Sequence, residues 1–129
     1  MKPLDTWMIR AAIAFSISVC GIDGLADSDR FIAAIKDFKF PDSHEVEKNL
    51  LIFVIRIGMG EALLDLVDRP YDEKGKGIMT SLKYLTNEFC LSEERSKEIL
   101  SAFDLIIGWD DLPWHVSHEP IKIQLQDAM

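Results

Sequence analysis

Residues 7–28 read WMIRAAIAFSISVCGIDGLADS, and this stretch decides the fold. A basic residue precedes the apolar run at 11–22, and the small residues at 24–26 fit a cleavage site, so an export signal is one interpretation. Against it, Asp5 lies in the segment that a signal peptide keeps basic, and two serines and a cysteine dilute the run. The run is also too short and too polar to span a bilayer. The stretch therefore predicts a core helix of a folded domain.

A polar N-cap, an apolar stripe and a terminating glycine or proline recur along the chain. Asp5 or Thr6 begins the first helix and Gly21 ends it, and apolar residues surround most of its circumference. Such a helix is typically buried among others. Five more helices are predicted: one between Asp27 and Pro41, one from the capping-box pattern Asp42-Ser43-His44-Glu45 to Gly58, a short one at 61–67, one at 78–89, and one from Ser92 to Gly108.

Three finer features follow from the same patterns. The third helix has one apolar stripe, which we expect to face the core: Val46, Leu50, Phe53 or Val54, and Ile57. Segment 69–77 is charged and interrupted by glycines, so it is predicted to be a mobile loop. Cys20 and Cys90 lie within or beside apolar helical patterns, and we expect buried free thiols of a cytoplasmic protein.

Composition agrees with a helical domain. The chain has 129 residues, of which 48% are hydrophobic and 28% charged, and it contains only 7 glycines and 5 prolines. Such a length fits one domain, and so few turn-forming residues argue against a sheet-rich protein. We predict an all-α fold: a single-domain orthogonal bundle of five to six helices at 1–108, followed by an irregular acidic tail at 109–129.

The charge of the chain restricts its partners. It has 14 basic and 22 acidic residues, for a net charge of −8. A surface this acidic repels nucleic-acid phosphates and anionic membranes, so neither is an expected partner. The same charge would steer the protein toward a basic protein partner.

No stretch of the sequence carries a recognisable catalytic motif. Residues 74–77 read KGKG but lack the first glycine and the Ser/Thr of a phosphate loop. The tail places five metal-ligand side chains within 110–119, but their spacing matches no closed zinc pattern. We therefore predict no metal, no cofactor and no enzyme activity.

Two tryptophans follow the predicted end of the last helix. Tryptophan is enriched in the energetic centres of interfaces, and a tail that carries two of them either packs over the end of the bundle or forms an arm that binds a partner. The second interpretation gives the predicted partner-binding residues: Trp109, Asp110, Asp111, Trp114 and His115.

Residues 11–31, with Asp23-Gly24 after an Ala-rich apolar helix, resemble the TerB-like helical domain of tellurite resistance. That resemblance implies a metal-linked role with Asp23, Asp27 and Asp29 as ligands, although Arg30 stands where the family has a fixed acid. Residues 30–108, with the apolar blocks FIAAI, LLIFVI, ALLDL and IIGW, resemble the small helical adaptor domains of bacterial effector proteins.

These patterns favour a non-enzymatic, cytoplasmic module that binds a basic protein, of the adaptor type or of the immunity or inhibitor type. One alternative is a TerB-like metal-linked stress or sensor module. Another is a structural homo-oligomer in which the apolar faces of helices 1 and 3 pair between chains.

Overall fold

The computed structural model describes residues 4–107, and every regular element in that range is helical. The all-α class is confirmed, with seven α-helices in place of the predicted five or six: α1 (Thr6–Cys20), α2 (Ser28–Asp37), α3 (Glu45–Arg56), α4 (Met59–Leu64), α5 (Tyr71–Glu88), α6 (Glu93–Ser101) and α7 (Asp104–Ile107). Two short 3-10 helices, Ile22–Ala26 and Asp42–His44, precede α2 and α3. The predicted boundary at residue 108 and the tail at 109–129 lie outside the described residues.

Helix α1 forms part of the core, as its apolar pattern predicts. It packs against α2, α3, α6 and α7. One side of α1 is buried, and it consists of Ile9, Ala12, Ile13 and Ser16. The predicted ends are confirmed too: the Asp5 carboxylate accepts a hydrogen bond from the Met8 N–H (3.1 Å), and Gly21 follows the last turn at a φ of 81°.

Segment 69–77 is not a loop, because α5 begins at Tyr71. Pro70 occupies the N-cap, and Asp72 and Glu73 lie in the first turn, where the helix dipole favours acids. Gly77 serves packing and not flexibility: a Cβ built there would lie 2.5 Å from Leu66 Cδ2. The glycine therefore lets α5 approach the chain that follows α4.

The predicted core stripe of α3 is confirmed in part. Val54 is buried and Leu50, Phe53 and Ile57 are half-buried against the core, but Val46 is 61% exposed. The fully buried side is rotated from the predicted one and consists of Glu47, Leu51, Ile52, Val54 and Ile55. The capping box does not form either, because residues 42–44 make a 3-10 turn. Instead, His44 and Glu47 contact Asp5. Apolar residues occur on two sides of α3. In the orientation that buries one of these sides, His44 and Glu47 make their long-range polar contacts with Asp5.

The cysteines are less buried than expected. Cys20 is half-buried and Cys90 is exposed, and both are free thiols. Cys90 lies just after α5 in the left-handed backbone region, with a φ of 58°. Because α5 ends at Glu88, the helical period that buries one side of α5 does not extend to Cys90.

Within residues 4–107, no helix has both the length and the apolar character needed to cross a lipid bilayer.

Candidate functional site: the outer face of α1

The side of α1 opposite the core is exposed and almost entirely apolar. We call this surface the outer face of α1, and it consists of Trp7, Ala11, Ala14 and Ser18. Trp7 is 74% exposed, and two apolar residues near the end of α1 are exposed beside this face: Val19 (56%) and, in the following 3-10 helix, Ile22 (40%). The positions 7, 11, 14 and 18 follow the period of an α-helix, so they share one side.

None of the residues that form this face is itself charged. The sequence has no Asp, Glu, Lys, Arg or His between Arg10 and Asp23. A helix on the surface of a globular protein ordinarily has charged or polar residues on its solvent side. A contiguous exposed apolar patch in a folded protein commonly marks an interaction site.

Half-buried aromatic rings continue the apolar surface beside α1. Phe15 packs against Phe38 at the end of α2, with ring centroids 5.7 Å apart. Phe38 in turn meets Phe40 edge-on at 5.0 Å. The apolar surface therefore extends from α1 to the rings at the end of α2.

Trp7 is held by its neighbour. The Arg10 guanidinium lies 4.4 Å from the centroid of the Trp7 ring, within the range of a cation–π contact. Arg10 Nε also donates to Asp104 Oδ1 at 2.7 Å, and the Asp104 side chain is only 6% exposed. Helix α7 thus fixes Arg10, and Arg10 supports the tryptophan from one side. An aromatic side chain that is already ordered loses less entropy when it is buried by a partner.

A polar cluster fixes the N-terminus of α1. The Asp5 N–H donates to Glu47 Oε2 (2.9 Å) and the Leu4 N–H donates to Glu98 Oε2 (3.4 Å). The Asp5 carboxylate is hydrogen-bonded to His44 Nε2 at 2.9 Å. The Met8 backbone N–H, followed by the hydrogen bond from His44, lowers the pKa of Asp5 below its ordinary value. These contacts join the N-terminal end of α1, where the outer face begins, to α3, α6 and the 3-10 turn.

A second, smaller apolar surface lies between α3 and α5. Phe53 meets Phe89 at 5.2 Å, and Phe89 meets Tyr84 at 5.1 Å. Tyr84 is 43% exposed, and the exposed Lys83 precedes it in α5. This surface is interrupted by charge, so the outer face of α1 is the stronger candidate.

The residues predicted to bind a partner are Trp109, Asp110, Asp111, Trp114 and His115, and all of them lie outside the described residues. The three acids of the metal-linked alternative are exposed. Asp27 caps α2, and its carboxylate accepts from the Arg30 N–H at 3.3 Å. Across residues 4–107, no three His, Cys, Asp or Glu side chains are arranged to hold a metal ion.

Sequence reasoning did not single out Trp7 as a surface residue. The signal was present, because apolar residues surround most of α1. That pattern predicts burial on all sides, but the chain's own helices cover only one side of α1 in the described structure. Apolar periodicity alone does not tell whether the covering surface belongs to the same chain or to another.

Comparison with family models, with curated proteins and with solved structures finds no match for this chain. The resemblances to TerB-like and adaptor domains stay predictions.

Proposed function

We propose that this protein is a binding module, of adaptor or inhibitor type, that acts by docking on other protein chains. The observation that carries the proposal is the outer face of α1: an uncharged, apolar helix side with a tryptophan that is 74% exposed. Exposed, ordered tryptophans are the residue type that contributes most to protein–protein affinity.

The charge distribution supports a basic protein among the partners. Among residues 4–107, fourteen acidic side chains are exposed but only seven basic ones are. An acidic surface accelerates association with a basic protein, and added salt weakens that effect. None of these acids is a residue of the outer face of α1.

The proposal also includes the finer predictions from the sequence: an orthogonal helix arrangement, an acidic arm at 109–129 and a cytoplasmic setting. The absence of a membrane-crossing helix in residues 4–107 is compatible with this setting.

Affinity capture with matched variants tests the proposal. Tagged wild type, Ala14→Glu and Val46→Glu are each exposed to lysate of the host, and the retained proteins are identified by mass spectrometry. Ala14 lies in the middle of the outer face, whereas Val46 is an exposed apolar residue on α3. We expect Ala14→Glu to lose bound chains that the wild type and Val46→Glu retain.

Repeating the capture at low and high salt separates the two surfaces. A basic protein retained at low salt and released at high salt supports the electrostatic part of the proposal. Identical retention by all three proteins, with equal thermal stability, would show that the outer face is not a docking surface.

A further inference from the structure

We draw no further inference here: the strongest candidate, the exposed apolar surface patch that the outer face of α1 forms around Trp7, carries nothing beyond the proposed function, because nothing within residues 4–107 shows what covers it.

Discussion

The two longest helices of the described structure, α1 and α5, present opposite surfaces to solvent. Helix α5 carries six charged residues in its 18 positions, and its inner side is formed by Ile78, Leu82 and Leu85. Helix α1 carries only Arg10 in 15 positions, and both of its sides are apolar. An amphipathic helix such as α5 is complete once one side is buried. Helix α1 has the composition of a helix that is covered on both sides. Within the described residues, however, its own chain covers only one of those sides.

The largest expected effect is the difference in unfolding free energy between a substitution on the buried side of α1 and one on its exposed side. Ile13 is fully buried, so Ile13→Ala removes apolar contacts and leaves a cavity, which costs about 3 kcal/mol of unfolding free energy. Trp7→Ala removes an exposed ring and its contact with Arg10, and we expect a loss of about 0.5 kcal/mol. Urea denaturation followed by far-UV circular dichroism measures both values.

Protein concentration is the control for this pair of variants. All variants are measured at the same low protein concentration, so that the stability of the monomer is compared. If Trp7→Ala costs as much as Ile13→Ala under those conditions, the outer face is part of the folding core and not a binding surface.

A smaller effect is expected in α5, where two glycines lie in one helix. Nothing lies within 4 Å of a Cβ built at Gly75, so Gly75→Ala should stabilise the protein by about 0.5–1 kcal/mol through the higher helix propensity of alanine. Gly77→Ala pushes a methyl group into Leu66, and overpacking of this kind costs about 1–3 kcal/mol. The unfolding free energies of the two variants should therefore differ by about 2 kcal/mol. Equal stabilisation by both would mean that Leu66 moves aside freely.

The start of α1 provides a third comparison, because α1 has a side-chain cap and α5 has none. Asp5→Ala removes the acceptor for the Met8 N–H and should cost about 1 kcal/mol. Asp5→Asn retains the cap but loses the carboxylate that contacts His44, so its cost should be smaller.

The pH dependence of this effect has a definite sign. The pKa of Asp5 is lower in the folded protein, mainly through the Met8 N–H and then through His44. Its contribution to stability is therefore complete above the pKa of an unfolded aspartate, about 3.9. It is lost as the pH falls through the lowered native value. The stability difference between wild type and Asp5→Asn should shrink below pH 4, and a difference that stays constant down to pH 2 would contradict this assignment.

Local signals predicted the helices more successfully than they predicted the faces of those helices. The Asp5, Asp27 and Ser92 caps and the Gly21 stop are short-range features, and the structure has all four. The inward side of α3 is predicted only in part, because apolar residues lie on two of its sides. Its orientation is accompanied by contacts of His44 and Glu47 with Asp5, 39 and 42 residues away in sequence.

The glycines of α5 show a related limit. Glycine is common in loops, so the sequence of 69–77 predicts a loop, but Gly77 is required by the side chain of Leu66 eleven residues earlier. The candidate surface was missed for the same reason. Composition shows that α1 is apolar all round, but which side the rest of the chain leaves open is a property of the tertiary packing.

The smallest expected effect compares how α1 and α5 end. Gly21 follows α1 at a φ of 81°, and Cys90 follows α5 at a φ of 58°. The Leu91 N–H donates to the Leu85 carbonyl oxygen at 3.2 Å, so the chain folds back onto the last turns of α5 after Cys90. Glycine adopts this left-handed conformation without the steric cost of a Cβ, which is about 1 kcal/mol for other residues. Cys90→Gly should therefore raise the melting temperature slightly, with a gain of about 0.5–1 kcal/mol after the entropy loss of the more flexible unfolded chain. Gly21→Ala is the reverse substitution and should lower stability by more, by about 1–3 kcal/mol, because Gly21 has a φ of 81° and a ψ of 163°, a region essentially restricted to glycine. If Cys90→Gly destabilises the protein instead, the Cys90 side chain makes a contact worth more than the backbone strain, and the end of α5 would then be as specific to its residue as the end of α1 is to its glycine.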